Sequence, residues 1–463
     1  MAQARTTRLG EELSALGRLA LPLALANAAQ SFMGLVDTAI LGRAGAAPLA
    51  GTGLGNLIFF SIAVLGIGLM MGLDPLVSQA VGAGDRARAR HLLWQGVWLS
   101  CALGAALAVP MALAPLALVP LGIPPEVASQ ATGYLLLRLP SLPFLLFFYA
   151  ARSYLQAHGA ARAVLATAVI ANVAHVPVDL LLVFGGGSLP AWAGPLRLVP
   201  AGGAAGSGLA TSLSFALQAG LLGLSIRWTG IDRPVAGLRR PAPAEMRRAA
   251  RVGLPVGLHL GAEVGVFALV GLLAGRLGRE PLAAHQIAIA VASFSFNAAV
   301  GIGNAGSVRV GWAVGARDSA AARRSGLVAF GAGAGFMSLW GLAFLLFPGP
   351  LARLMTDQPE VVAAAAPLMV VAGVFQISDG IQGVGAGVLR GAGDTRFTFL
   401  ANMVGHWAVG LPLALALGVG LGMGITGLWW GLCAGLTAVA AGLLARFLRL
   451  SSREIVPLAE RAR

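Results

Sequence analysis

The chain has 463 residues, 57% hydrophobic and 11% charged; soluble domains carry about 25% charged residues, so a soluble enzyme, a disordered chain and a coiled coil are excluded and a polytopic membrane protein is indicated. A formal net charge of +14 would suggest nucleic acid in a soluble protein, but here the basic residues stand between apolar runs, the positive-inside pattern of membrane proteins, and no nucleic-acid partner is expected. All 32 basic residues are Arg, and without Lys there is neither a P-loop lysine nor a Schiff base, which excludes a self-contained P-loop ATPase and a light-driven pump.

Apolar runs of about 20 residues predict twelve membrane helices and an all-α fold. The first, 16–41, carries Pro22, Gln30 and Asp37, and is long enough to span and remain, with no cleavage site behind it. The second covers 48–72, and the third, 92–114, holds Cys101. The fourth, 131–151, carries Arg138, and the fifth, 163–184, carries His175, Pro177 and Asp179. The sixth covers 203–225, and a basic, Pro-containing linker follows at 227–250. The seventh, 252–275, carries Pro255, His259 and Glu263. Then come 282–305, 326–347, 363–388 with Asp379, 398–419, and 425–446 with Cys433. Both Cys read as small core residues without a disulfide. The GxGxxG match at Gly422, Gly424 and Gly427 follows no strand and is discarded as a nucleotide site.

With the N-terminus inside, 26 of the Arg residues fall on the inner side, Arg5, Arg8, Arg233 and Arg463 among them. Five fall outside, and Arg138 lies within a span. This bias predicts an even span count and cytoplasmic termini. The chain also repeats itself at an offset of 233. Pro22 matches Pro255, Gly42-Arg43 matches Gly275-Arg276, and Val81-Gly82-Ala83 matches Val314-Gly315-Ala316. Six helices per repeat give both halves the same orientation, related by a pseudo-twofold axis along the membrane normal. The expected domains are an N-terminal six-helix lobe, 1–226, the linker, and a C-terminal lobe with a short tail, 251–463.

A carboxylate within a span is a candidate functional group by default. Asp37, Asp179, Glu263 and Asp379 meet that description, whereas Asp74, Asp85, Asp318, Asp357 and Asp394 read as caps and loop charges. Asp37 aligns with Val270, Glu263 with Gln30 and Asp379 with Leu145. The acids are thus not shared between repeats, and packing common to both does not account for them. Burial disfavours a charged carboxylate, so such a group can hold a proton and release it to a cation, or coordinate Na⁺. His175 precedes Asp179 by four residues, as His259 precedes Glu263, which puts each pair on one helix face. An imidazole suits a proton relay. Neither His has a third donor close in sequence and HExxH is absent, so no metal site and no cofactor are expected. Pro22, Pro177 and Pro255 should bend their helices or free backbone carbonyls.

These residues resemble the multidrug and toxic compound extrusion (MATE) family, in its NorM-like branch, over essentially the whole chain. The segments that carry the resemblance are LPLALANAAQSFMGLVDTAILG from Leu21, GLDPLVSQAVGAGD from Gly72, GLPVGLHLGAEVGVF from Gly253, LAAHQIA from Leu282 and QISDGIQGVGAGVLRGAGDTR from Gln376. The resemblance implies a secondary exporter of small cationic amphipathic compounds that exchanges them for H⁺ or Na⁺ by alternating access. It implies that Asp37, with Pro22 as bending point, is the N-lobe coupling carboxylate, and that Glu263 and Asp379 are the C-lobe cation-site acids. Asp179, Asn172 and Thr211 match the N-lobe ion site. Two departures stand out: His175 replaces the usual Asn, and Phe375 stands where some relatives carry Tyr.

The expectation is therefore a monomeric, twelve-helix antiporter of the inner membrane, embedded in the lipid bilayer, and not an enzyme. Three other readings of a membrane protein make different demands. A flippase of a lipid-linked precursor would need Arg lining its cleft. An intramembrane enzyme would need a nucleophile or metal set, and a receptor would bind without flux.

Overall fold

The computed structural model describes residues 9–187, 189–228 and 239–461. Of the Arg tally, Arg5, Arg8, Arg233 and Arg463 lie outside the described residues, as does part of the linker. The described residues form helices and no strand. Twelve membrane spans result if one bent pair is counted as a single span. They are α1 (Leu9–Ala44), α2 (Ala46–Gly82), α3 (Arg86–Ala117), α4 (Pro125–Arg138 and Ser141–Ala157), α5 (Ala161–Phe184), α6 (Gly203–Trp228), α7 (Pro243–Leu277), α8 (Arg279–Gly315), α9 (Ser319–Leu346), α10 (Pro359–Gly391), α11 (Thr395–Gly420) and α12 (Gly424–Leu450).

Every expected span has its helix, with local differences. The fourth is two helices bent by 50° at Leu139-Pro140, not one continuous run. Pro140 has no N–H to donate and its ring crowds the preceding turn, so the helix breaks there. The loop after α5 contains a 3₁₀ segment, Ala191–Leu198. In α11 the backbone is π-helical over Met403–Gly410 and Ala416–Gly420, flanking the turn that contains Pro412. Pro22 and Pro255 sit inside continuous helices. Cys433 is buried as expected, but Cys101 is exposed on α3, and both are free thiols.

The residues group into two compact units. One holds the described residues up to 27, 74–86 and those from 258 onward; the other holds 28–73 and 87–257. In the first unit α10 is central, packed by α8, α9 and α12, and in the second α6 packs on α4 and α5. These units do not follow chain order, whereas the sequence-based division does.

The reason lies in close helix crossings that obey the 233-residue repeat. A Cβ on Gly68 of α2 would collide with the Gly257 backbone of α7. Adding 233 to the first position and subtracting it from the second gives Gly301 of α8 against Ala24 of α1, and that contact exists too. In the same way Gly82 meets the Trp312 backbone, and its counterpart Gly315 meets Gln79. Gly311 meets Ser78, and these two positions are each other's equivalents at the same offset. Small residues let helix backbones approach where lipid gives no hydrophobic drive. Since backbone cannot yield as a side chain can, Gly82→Val and Gly315→Val should each destabilise the fold by about 1–3 kcal/mol. Unfolding in mixed micelles measures this, and two unaffected variants would refute the crossings as drawn.

Ion pairs fasten the same region. Glu12 binds both Arg309 and, at 3.1 Å, Arg324. Asp74 is not the loop charge expected from its place at a span end. It is buried and pairs with Arg390, Nε to Oδ2 at 3.1 Å, and Arg390 also donates to Asn304 at 2.8 Å. Asp394 likewise pairs with Arg446 at 2.7 Å, whereas Asp318 does cap its helix, accepting from the Ala321 N–H at 2.8 Å.

Candidate coupling sites

The first site is built on α1, α5 and α6. Asp179 stands four positions after His175, so both project from one face of α5, with Pro177 between them. Both are fully buried. Asp37 reaches the same point from α1. His175 Nε2 lies 2.5 Å from Asp37 Oδ1, and its Nδ1 lies 2.8 Å from Ser214 Oγ. The Ser214 hydroxyl donates its hydrogen to the Ala210 carbonyl at 2.9 Å. Its oxygen must therefore accept from His175 Nδ1–H, which fixes that proton on Nδ1. The remaining ring nitrogen and the Asp37 oxygen cannot face each other at 2.5 Å as two bare lone pairs. One proton lies between them.

The third member, Asp179, has no partner of good hydrogen-bond geometry at either carboxylate oxygen among the described residues, and Ser207 is the hydroxyl within reach of it. Donor atoms of Asp37, His175 and Asp179 all lie within 4.8 Å of one another, the only such trio of metal-capable groups among the described residues. Sequence spacing offers no third donor; the fold brings it from 138 residues away. When the shared proton leaves, an imidazole nitrogen and two carboxylates face one point, an arrangement that needs a cation. Na⁺ prefers oxygen donors, and the imidazole makes this set less suited to it than the Asn of the family pattern.

The other residues singled out in this half are placed as follows. Thr211 is buried and donates to the Ser207 carbonyl at 3.0 Å. Asn172 donates to the Ala168 carbonyl at 2.8 Å. Gln30 donates to Gln218 at 3.2 Å. Gln30, Asp37 and Thr211 line a cavity of about 480 Å³. Arg138, whose tip the sequence could not place, lines it too. The guanidinium donates to Asn56 Oδ1 at 2.7 Å and to Tyr134 Oη, and lies 4.1 Å above the Phe59 ring centroid. The cavity thus carries charges of both signs.

The second site lies on α7, α10 and α11. His259 Nε2 is 3.4 Å from Glu263 Oε2, as their spacing of four predicts. Glu263 Oε1 accepts from Gln382 Nε2 at 3.2 Å. Asp379 is buried and within electrostatic reach of Glu263, so two carboxylates share one apolar environment and repel unless a proton or cation stands between them. Gln382 was not singled out from the sequence, although it lies three residues after Asp379 on the same helix. His406 was missed as well. It is buried in the π-helical stretch of α11 with neither ring nitrogen bonded among the described residues, and π-bulges concentrate at functional sites. Its signal was present as a lone His inside an apolar span.

A model of the MatE family matches the chain twice, over residues 22–181 and again over 255–416. The two matches begin at Pro22 and Pro255, the first pair of the internal repeat. Among characterised sequences, the chain is 38% identical over 447 residues to the multidrug resistance protein NorM of Burkholderia vietnamiensis, covering 95% of each. It is 35% identical over 440 residues to the probable multidrug resistance protein NorM of Pseudomonas putida, covering 93% of each. Its fold matches that of a Vibrio cholerae MATE transporter, VcmN, with a TM-score of 0.86 at 20% identity over 96% of this chain and 99% of the other. The eukaryotic MATE transporter AtDTX14 matches with a TM-score of 0.83 at 20% identity, over 95% and 96%. Twice matched by the family model and similar to NorM proteins over nearly its whole length, this chain belongs to the MatE family and is a multi-span membrane transporter rather than an enzyme.

Proposed function

We propose that this transporter is a multidrug efflux antiporter of the inner membrane, with both termini cytoplasmic. It exports small cationic amphipathic compounds in exchange for H⁺ or Na⁺ by alternating access of two six-helix lobes, 1–226 and 251–463, joined by 227–250. The names of its NorM relatives support multidrug export, and the Arg bias supports the orientation. No cofactor enters the cycle, and the working unit is a monomer in the bilayer.

The observation that carries the mechanism is the Asp37–His175 pair, 2.5 Å apart with Nδ1 committed to Ser214. It holds one exchangeable proton at the wall of a cavity. Loss of that proton leaves a negative charge on Asp37 at the cavity wall, which attracts a cationic substrate. Reprotonation expels it. This favours H⁺ at the N-lobe site. Asp179, close by, serves as the second acceptor, and Thr211, Gln30 and Asn172 as auxiliary polar groups. Glu263 and Asp379, with His259, form a second carboxylate site at which Na⁺ or H⁺ binds. Pro22 and Pro255 are the bending points of α1 and α7. The flippase reading gains one observation, Arg138 on the cavity wall, and that single guanidinium is matched there by Asp37.

Dye efflux from proteoliposomes tests the proposal, with a pH gradient and a Na⁺ gradient imposed separately. Wild-type protein should expel a cationic dye under the pH gradient alone. Efflux that requires Na⁺ would move coupling to Glu263 and Asp379, and absence of efflux under both gradients would refute antiport of that dye class.

A further inference from the structure

A second cavity, of about 660 Å³, lies away from both carboxylate sites. Its walls come from the start of α3, the second helix of α4, the end of α6 and the residue Arg239 ahead of α7. Among the described residues three guanidinium groups line it, those of Arg90, Arg227 and Arg239, and no carboxylate. The rest of the lining is apolar: Leu93, Trp94, Val97, Phe147 and Ile226 beside Gly223.

The placement of Arg239 is built rather than incidental. Trp98 donates from Nε1 to the Arg239 carbonyl at 2.8 Å, and Gln95 donates to the Arg240 carbonyl at 2.9 Å. Gln95 Oε1 in turn accepts from the Ala242 N–H at 2.7 Å. Backbone from Arg239 to Ala242 is thereby held against α3, and the Arg239 guanidinium lies 5.0 Å from the Trp94 ring centroid. Arg90 is in the second turn of α3 and Arg227 in the last turn of α6. The cavity therefore sits at the ends of its spans, at headgroup depth, where exposed Trp98 and Trp228 are also found, as expected of aromatic residues at a membrane interface.

Charge at the rim and an apolar floor match one kind of molecule. We propose that this cavity binds an anionic phospholipid, its phosphodiester held by Arg90, Arg227 and Arg239 and its first acyl carbons lying against Trp94, Val97 and Phe147. Guanidinium pairs phosphate oxygens by parallel hydrogen bonds, and basic pockets between membrane helices on the cytoplasmic side are suited to acidic headgroups. This binding does not depend on the efflux mechanism proposed above.

The test is native mass spectrometry of the purified full chain, titrated with phosphatidylglycerol, with phosphatidylcholine and with inorganic phosphate. Wild type should retain phosphatidylglycerol roughly tenfold better than phosphatidylcholine. Arg90→Gln combined with Arg239→Gln should erase that preference. Gly223→Phe should erase it too while keeping every charge, because Gly223 lines the cavity, a Cβ there meets nothing within 4 Å, and the added ring would occupy the space. Arg353→Gln, on the opposite side of the Arg tally, should change nothing. Equal retention of both lipids by wild type would overturn the proposal, as would unchanged preference in the double variant and in Gly223→Phe. Binding of inorganic phosphate without phosphatidylglycerol would overturn it in favour of a free-anion site.

Discussion

Asp37→Asn should reduce efflux driven by a pH gradient to the rate of protein-free liposomes, in a protein that inserts and unfolds like wild type. The geometry of the pair explains why function and stability separate. His175 Nδ1–H is committed to Ser214, so its Nε2 is an acceptor. An asparagine amide at position 37 can donate to that nitrogen and keep the network satisfied. What it cannot do is release a proton. The buried polar groups stay paired, so little stability is lost, but the exchangeable charge is gone. His175→Asn should act differently. It leaves Asp37 and Asp179 with an oxygen donor in place of nitrogen, the set that suits Na⁺. Efflux under a pH gradient should slow, and efflux under a Na⁺ gradient should rise relative to wild type. Measuring both variants under both gradients checks the assignment. Undiminished pH-driven efflux in Asp37→Asn would remove Asp37 from the coupling mechanism.

Arg390→Gln should be a severely damaging change to stability, costing about 3–5 kcal/mol, because it removes the opposite charge that faces a buried carboxylate. Arg390 and Asp74 are 6% and 7% exposed, so water cannot replace the lost partner. The amide can still meet Asn304 but carries no charge to offset Asp74. Adding Asp74→Asn to the first substitution should recover a large part of the loss, since two neutral amides remove the uncompensated charge. Unfolding of the single and double variants in mixed micelles gives the coupling energy. Equal stability of Arg390→Gln and wild type would mean the pair contributes nothing.

The membrane helices were legible because a span must be apolar over its whole length, a signal that survives local irregularity. The break in α4 was not, since an apolar run reads alike whether straight or bent, and only the backbone of Leu139-Pro140 decides. In the coupling site, His175 with Asp179 and His259 with Glu263 were legible from spacing on one helix. The contact of Asp37 with His175, 138 residues apart, depends on which faces α1 and α5 present to each other, and hydrophobic pattern carries no such information. Ser214, which sets the imidazole tautomer, is one hydroxyl among several on α6 and had no signal of its own. Asp74 was misread for the opposite reason. A charge at a span end usually meets water, but here Arg390, 316 residues further on, meets it first.

Ser78 and Gly311 touch, and they are the same position in the two repeats. Such a pair can occur only on the rotation axis, where a point is carried onto itself. In a half-length chain of six helices assembled as a symmetric dimer, a side chain at this position would meet its own copy. Any enlargement would be counted twice, and serine against serine would be more crowded than what is found. Joining both copies in one polypeptide lifts that restriction. One copy can keep a hydroxyl, which here donates to the Asp74 carbonyl at 2.7 Å, provided the other gives up its side chain altogether. The fused chain thus accommodates an asymmetry that two identical subunits could not, and Asp37, Glu263 and Asp379, each without an acidic counterpart in the other repeat, use the same freedom.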